Sequence, residues 1–92
     1  MLRLDLSKQA LGFLSDLPAK QGRQIAEKLK TLCVDPQGLP SELLKGYAPL
    51  RRVKAGEFRI VFAVEGEVLK VRLIGKRNDD EIYKALQRSW NA

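Results

Sequence analysis

The stretch that decides the fold is residues 50–74, which read LRRVKAGEFRIVFAVEGEVLKVRLI. Apolar residues alternate along much of it with charged ones, which is the period of a β-strand with one buried face. Two glycine-containing pairs, Ala55-Gly56 and Glu65-Gly66, suit tight connections between strands. The stretch therefore predicts an antiparallel meander of three strands.

The predicted register sorts the side chains of the meander into two faces. One face is apolar and holds Val53, Phe58, Ile60, Phe62, Leu69, Val71 and Leu73. The other is basic and holds Arg52, Lys54, Arg59, Lys70 and Arg72. Glu57 is the only acid predicted among these paired positions, opposite Lys54.

The same register predicts a row of arginines, Arg52, Arg59 and Arg72, across three adjacent strands. Like charges directly opposite one another destabilise a sheet by up to about 1 kcal/mol each, so a retained row indicates a use for the charges. The planar guanidinium binds phosphate oxygens in pairs, which makes the row a candidate phosphate site. The alternative is three arginines that extend into solvent and cover the sheet with their methylenes.

The formal net charge of +6 lies in this part of the 92-residue chain. Nine basic and three acidic residues fall between Lys45 and Arg77, whereas the rest of the chain has eight of each. Such a concentration indicates an acidic partner, either nucleic acid or an anionic membrane surface. No uncharged apolar run approaches the roughly 20 residues that span a membrane, and residues 1–6 alternate instead of forming a signal peptide, so a cytoplasmic location is expected.

The chain has no histidine and a single cysteine, Cys33. Histidine metal sites, imidazole acid–base chemistry and Ser-His or Cys-His couples are therefore excluded. Catalysis would have to use Lys, Arg, Tyr or carboxylates, and no cofactor or metal is predicted. Cys33 can form no internal disulfide, and we interpret it as a small buried residue of a helix rather than a reactive thiol.

One strand and three helices are predicted around the meander. Residues 2–6 alternate as a strand, and Ser7 is the predicted N-cap of a short helix that ends near Pro18. A second helix is predicted from about Pro18 to Cys33, with the apolar stripe Ile25, Leu29, Leu32 and Cys33. A capping-box pattern at Asn78 and Glu81 predicts a C-terminal helix with a buried stripe of Ile82, Leu86 and Trp90. The whole chain, 1–92, is thus expected to form one α+β domain with its helices packed on one sheet.

Four motifs stand out along the second half of the chain: Leu44-Lys45-Gly46-Tyr47, Arg51-Arg52-Val53-Lys54, Phe58-Arg59-Ile60-Val61-Phe62, and Gly75-Lys76-Arg77 followed six residues later by Tyr83. Together they resemble the RelE/ParE superfamily. The predicted elements also follow the superfamily's order along nearly the whole chain. The spacing from Arg77 to Tyr83 is similar to that of its ribonuclease branch, the RelE-type toxins of bacterial toxin–antitoxin pairs.

RelE-type toxins enter the ribosomal A site and cut the messenger RNA there. The resemblance implies the same activity here, with Arg59 on the scissile phosphate, Arg77 stabilising the transition state and leaving group, and Tyr83 handling the 2′-hydroxyl proton. Arg52 and Lys54 align with the basic strand before the hairpin and complete the implied catalytic set. The resemblance also implies a RelB-like antitoxin as partner.

This chemistry suits the residues present, because RNA can be cut by its own 2′-oxygen attacking the adjacent phosphorus. The protein then has to orient the strand, stabilise phosphate charge and move two protons. The other basic residues of the segment are predicted to contact messenger or ribosomal RNA: Lys45, Arg51, Lys70, Arg72 and Lys76. Two alternatives stay open, a ParE-like toxin that acts on DNA gyrase and a non-catalytic RNA-binding module.

Overall fold

The computed structural model describes the backbone of residues 1–77 and 79–90 and the side chains of residues 1–77 and 81–88. The elements are β1 (Arg3–Leu6), α1 (Lys8–Ser15), α2 (Ala19–Val34), β2 (Ser41–Leu43), β3 (Arg51–Ala55), β4 (Phe58–Glu65), β5 (Val68–Lys76) and α3 (Asp79–Trp90). One sheet has the strand order β1-β5-β4-β3-β2, with β1 parallel to β5 and the other pairs antiparallel. The predicted α+β class is confirmed, and β2 is an addition that the sequence did not predict.

The two N-terminal helices form where their caps and apolar stripes predicted them. Ser7 caps α1, since its Oγ accepts a hydrogen bond of 3.1 Å from the Ala10 amide. Pro18 precedes α2, whose predicted stripe is buried throughout: Ile25, Leu29, Leu32 and Cys33. None of the helices over the described residues is long and apolar enough to cross a membrane.

The sheet separates two apolar clusters. The face that packs against α1 and α2, here the helix-pair face, carries Val53, Ala55, Phe58, Ile60, Phe62, Leu69, Val71 and Ile74. The opposite face, here the α3 face, packs Val61, Ala63 and Leu73 against Ile82 and Leu86 of α3 and against Leu44 and Leu50 of the loop before β3. Six of the seven residues predicted for the apolar face are confirmed, and so are Ile82 and Leu86 as buried helix residues. The predicted cap at Asn78 and the side chain of Trp90 lie outside the described residues.

Both hairpins pair in a register other than the predicted one. In each turn, glycine takes the first of the two central positions instead of the second. Gly56-Glu57 and Gly66-Glu67 are the central pairs, so Ala55 is opposite Phe58 and Glu65 is opposite Val68. The glycines have φ values of 61° and 60°, and no other residue type in the described chain has a positive φ. A type II′ turn requires glycine at the first central position, whereas the prediction placed it second. Glu57 is therefore in the turn and not opposite Lys54.

A β-bulge in β5 corrects a second part of the prediction. Val61 is opposite Leu73 whereas Phe62 is opposite Val71, which leaves Arg72 as the extra residue of β5. Leu73 consequently lies on the α3 face and not, as predicted, on the apolar face that holds Phe58, Ile60 and Phe62. The Ser7 hydroxyl donates to the Arg72 carbonyl at 2.8 Å, so the start of α1 contacts the bulge.

Candidate functional site

The prediction of an arginine row is wrong, although Arg52, Lys54 and Arg59 do share a face. Arg59 is opposite Lys54 on one side and Gly75 on the other, whereas Arg52 is opposite Val61 and Glu42. Arg72 belongs to the bulge. The observed register differs from the predicted one by two residues in the first hairpin, so Arg52, Lys54 and Arg59 still lie together on the α3 face.

Arg59 begins the basic part of the α3 face. Its Nη1 donates to the carbonyl oxygens of Phe58 at 2.9 Å and of Gly56 at 3.1 Å, both in its own hairpin. The side chain is half-buried, and Lys54 opposite it is exposed. The turn thus holds one guanidinium nitrogen at the hairpin end of the sheet and restricts the positions that the rest of the group can reach.

Gly75 lets α3 pack closely on the sheet beside Arg59. A Cβ atom built on Gly75 would lie 3.6 Å from Cγ1 of Ile82, an ordinary contact distance, so a larger side chain would have to displace Ile82. Arg77 is exposed and follows two residues after Gly75, directly after β5 ends. Arg59 and Arg77 therefore lie at the same end of the β4–β5 pair.

Tyr83 lies on α3 against the apolar cluster of the α3 face. It follows Ile82, is half-buried, and packs against Tyr47 with ring centroids 5.8 Å apart and an angle of 48° between the planes. Tyr47 lies in the loop between β2 and β3. It was not predicted as a site residue, although the Leu-Lys-Gly-Tyr motif contains it. Both tyrosines are partly buried against this cluster.

Arg52 is held by an acid that the sequence analysis did not place on this face. Its Nη2 lies 2.7 Å from Oε2 of Glu42, with 12% of the Arg52 side chain exposed against 70% for Glu42. Glu42 is on β2, directly opposite Arg52. Because β2 was not predicted, the ion pair was missed, and the basic face carries mixed signs at its outer strand.

The residues predicted to contact RNA are dispersed. Arg51 is opposite Phe62 on the helix-pair face and donates through Nε to the Ser41 hydroxyl at 2.8 Å. Lys76 is opposite Phe58 on that same face. Lys45 is exposed in the loop before β3. Arg72 borders grooves on either side of Ser7, one shared with Asp5 and the other with Lys8.

Two side chains have shifted acid–base properties. Lys70 contacts Glu65 at 2.9 Å, and this hydrogen bond, with the charge of the carboxylate, raises the pKa of the Lys70 ammonium. Burial raises the pKa of the Cys33 thiol, an effect partly offset by the positive N-terminus. Cys33 is a buried helix residue, as predicted. Over the described part of the chain, no group of three or more His, Cys, Asp or Glu side chains could hold a metal ion.

The family model for the ParE toxin of the type II toxin–antitoxin system parDE matches residues 4–81. The chain belongs to this family. It is also similar to solved structures of E. coli RelE, and the predicted resemblance to the RelE/ParE superfamily is confirmed. No curated protein sequence matches it significantly.

Three solved structures show how far the likeness extends. A free-state E. coli RelE toxin with two arginine-to-alanine substitutions is 25% identical, with a TM-score of 0.76 over 95% of this chain and 96% of that one. The isolated E. coli RelE toxin is also 25% identical, with a TM-score of 0.72 over 96% and 98%. The archaeal RelE–RelB complex from Pyrococcus horikoshii is 24% identical, with a TM-score of 0.67 over 84% and 96%, and shares the fold. The α+β fold described above is therefore that of a RelE-like toxin.

Proposed function

We propose that this toxin is a ribosome-dependent endoribonuclease that cuts messenger RNA in the ribosomal A site. The observation that supports it most is that Arg59 lies between Lys54 and Gly75 on the α3 face, with Arg77 directly after the same end of β5. Tyr83 follows Ile82, the α3 residue nearest to Gly75. Cations and a tyrosine are the parts that histidine-free cleavage of RNA requires.

In this proposal Arg59 and Arg77 bind the scissile phosphate. Attack of the 2′-oxygen on phosphorus forms one P–O bond, breaks the bond to the 5′-oxygen, and concentrates negative charge on the other phosphate oxygens. Two guanidinium groups that converge from β4 and from the end of β5 stabilise that charge. Because the hairpin carbonyls already hold Arg59, less conformational freedom is lost when the phosphate binds.

Tyr83 and Lys54 are the groups proposed to handle protons. The 2′-hydroxyl must lose a proton as it attacks, and the departing 5′-oxygen must gain one. The Tyr83 oxygen is proposed to accept the 2′-hydroxyl proton while the phenol passes its own proton to water, and the Lys54 ammonium is proposed to donate a proton to the 5′-oxygen. Arg52, two residues before Lys54 on β3, is paired with Glu42.

The open shape of the site supports a dependence on the ribosome. The basic part of the α3 face is a surface of two strands, β3 and β4, so the protein alone does little to orient a flexible RNA strand. A ribosome that presents the messenger in a fixed path would supply the missing orientation, which is worth a large part of a cleavage barrier.

The experiment is primer-extension mapping of messenger RNA in a translating extract. The purified toxin is expected to produce cuts at codon positions that depend on ribosomes, and Arg59→Ala should reduce the cleavage rate about 100-fold to 1000-fold. Arg23→Ala, which removes an exposed arginine from α2, is the matched control and should leave cleavage unchanged. If Arg59→Ala cut at the wild-type rate, Arg59 would have no role in the mechanism.

A ParE-like activity on DNA gyrase is the second candidate, favoured by the family model that matches residues 4–81. It predicts that translation extracts are unaffected while supercoiling by gyrase is inhibited. The third possibility is an RNA-binding module, for which ribosomes would retain the protein without any cut. The two assays together separate all three.

An antitoxin is the proposed protein partner. Solved structures of this fold include complexes with RelB-type antitoxins. An acidic segment that covers the basic part of the α3 face would block the proposed site. A RelB-type antitoxin that binds this chain should therefore abolish cleavage. In the purified system, this inhibition should weaken at high salt if the contact is mainly electrostatic.

A further inference from the structure

The chain has two tyrosines, and they are in contact with each other. Tyr47 comes from the loop between β2 and β3, and Tyr83 comes from α3. Their ring centroids are 5.8 Å apart, with 48° between the planes. The proposed chemistry uses the oxygen of Tyr83, whereas Tyr47 has no part in it. The contact therefore joins a loop to the residue that would accept a proton.

The loop that carries Tyr47 is fixed at both ends. Leu44 and Leu50 are buried in the apolar cluster of the α3 face, and the Leu44 amide donates to the Leu50 carbonyl at 2.9 Å. The Leu50 amide donates to the Tyr47 carbonyl at 2.9 Å. The Tyr47 amide donates to the Leu44 carbonyl at 3.0 Å, across Gly46, whose φ of 83° suits the third position of a type II turn. The backbone of Tyr47 thus has a set position against the sheet.

Helix α3 alone leaves the Tyr83 side chain a choice of positions. Ile82 and Leu86 are buried and hold the helix on the sheet, and Tyr83 lies half-buried beside them. A tyrosine in a helix has two common χ1 rotamers, and a change from one to the other moves the ring by several ångström. An aromatic pair favours the rotamer that forms it by roughly twofold to tenfold. The contact with Tyr47 therefore selects one position of the Tyr83 ring.

We propose that Tyr47 is a positioning residue whose ring holds Tyr83 in one rotamer, so that the Tyr83 hydroxyl is already oriented when RNA binds. The proposal rests on the proposed function in one respect, namely that the Tyr83 oxygen accepts the 2′-hydroxyl proton. A reacting group that is oriented in advance lowers the barrier of the step that uses it. Tyr47 acts through Tyr83 and touches no reacting atom.

The position of the Tyr83 ring is tested by nuclear magnetic resonance on two substitutions. Tyr47→Phe keeps the ring and Tyr47→Leu removes it, and in each variant Tyr83 is the one tyrosine left to label. The coupling constants across the Cα–Cβ bond of Tyr83 should show one dominant χ1 rotamer in the wild type and in Tyr47→Phe. In Tyr47→Leu they should be averaged over two rotamers. One dominant rotamer in Tyr47→Leu as well would overturn the proposal.

Cleavage is measured with the same variants on ribosomes saturated with toxin, and affinity for the ribosome is measured separately. Tyr47→Leu should lower the cleavage rate by about threefold to tenfold, because less of the toxin has Tyr83 in the competent rotamer. Its affinity for the ribosome should not change, and Tyr47→Phe should cut at close to the wild-type rate. Ile25→Val removes a buried methylene from the helix-pair face and is the control for lost stability. It should cut as the wild type does.

A double-mutant cycle tests whether Tyr47 acts through Tyr83. In a Tyr83→Phe background, Tyr47→Leu should cause no further loss of cleavage, because the hydroxyl that it orients is already gone. Additive losses, equal losses in Tyr47→Phe and Tyr47→Leu, or a loss of ribosome affinity alone would each contradict a positioning role. If the wild type binds ribosomes without cutting, the proposed function fails, and the coupling constants still decide whether Tyr47 sets the rotamer of Tyr83.

Discussion

The two faces of the sheet are built from the same three central strands but serve different purposes. The helix-pair face carries an apolar cluster that runs from β3 to β5 under α1 and α2, with the basic residues Arg51 and Lys76 at strand ends. The α3 face is apolar only around Val61, Ala63 and Leu73, and its remaining part carries Arg52, Lys54 and Arg59. The same alternation of residues produces both, so periodicity identifies which residues share a face and does not identify their neighbours across the strands.

This difference predicts that stability and activity depend on opposite faces. Residues of the helix-pair face contribute through burial, which is the main source of folding free energy. Residues of the basic part of the α3 face are exposed or half-buried, so removing them should change folding little. Four experiments test this contrast, from the largest expected effect to the smallest.

The largest effect is expected from Phe62→Ala on the helix-pair face. The Phe62 side chain is 1% exposed and belongs to the cluster that packs against α1 and α2, so truncation leaves a cavity. The free energy of unfolding should fall by about 3 to 5 kcal/mol, measured by chemical denaturation. That is a large part of the total stability of a domain of this size.

Lys54→Ala is the comparison on the α3 face. Lys54 is exposed on β3, and its removal should change the free energy of unfolding by less than about 0.5 kcal/mol while reducing cleavage. If Lys54→Ala destabilised the protein as much as Phe62→Ala does, the two faces would not differ as argued.

The second effect concerns the hairpin that holds Arg59. Gly56→Ala should destabilise the protein by about 1 to 3 kcal/mol, because alanine disfavours the positive φ at this turn position. A Cβ at Gly56 would also clash with the side-chain amide of Gln24 on α2. Thermal unfolding measures the change, and cleavage should fall as well, since the Gly56 carbonyl accepts a hydrogen bond from Arg59.

Gly66→Ala supplies the matched control for that turn. Gly66 has nearly the same φ, 60° against 61°, and nothing lies within 4 Å of a Cβ built there. The difference between the two variants therefore isolates the contact with Gln24. Equal destabilisation would show that Gln24 moves aside without cost, and loss of cleavage in Gly66→Ala would separate activity from the Arg59 hydrogen bond.

These turns also show where prediction from sequence ends. The apolar stripe of α2, the cap at Ser7 and the sorting of β3 and β4 into faces follow from local spacing and were predicted correctly. The registers depend on whether glycine takes the first or the second central position of each turn, and both choices preserve the alternation. Periodicity therefore could not distinguish them.

The bulge and β2 were missed for a different reason. A bulge adds one residue to a strand, and nothing in the residues around Arg72 differs from regular alternation until Leu73 and Ile74. The three residues of β2 form a strand through pairing with β3 and are too short to show a period. Both features determine which residues lie next to the basic ones. Composition and resemblance therefore identified the candidate site residues, but their arrangement in the sheet was not predicted.

The third effect concerns Gln9, which links the end of β5 to α1. Its side-chain amide donates to the Ile74 carbonyl at 2.7 Å and accepts from the Ile74 amide at 2.9 Å, as a neighbouring strand would. Gln9→Leu removes both bonds and should lower the free energy of unfolding by about 1 to 2 kcal/mol. Amide hydrogen exchange at Ile74 should accelerate.

Gln9→Glu distinguishes the two bonds. A carboxylate still accepts from the Ile74 amide, but its second oxygen faces and repels the Ile74 carbonyl oxygen, so the loss should be at least as large as in Gln9→Leu if the bond to the carbonyl contributes. Slow exchange at Ile74 in Gln9→Leu would mean that α1 protects this edge by packing alone.

The smallest change in stability is expected from Glu42→Gln, which removes the negative charge opposite Arg52. The ion pair has one exposed partner, so the free energy of unfolding should fall by less than about 1 kcal/mol. Affinity for single-stranded RNA should instead rise by a few fold, with a steeper dependence on salt, because a negative charge is removed beside Arg52 and Lys54.

Glu65→Gln makes the same change in charge next to Lys70, at the far end of β4. Both variants raise the net charge by one, so a general electrostatic effect would strengthen RNA binding equally in each. A larger gain in Glu42→Gln would assign Arg52 to the RNA-binding part of the α3 face, with Glu42 limiting its availability in the free toxin. Equal gains would mean that Arg52 stabilises the β2–β3 edge and that the site consists of Lys54, Arg59, Arg77 and Tyr83.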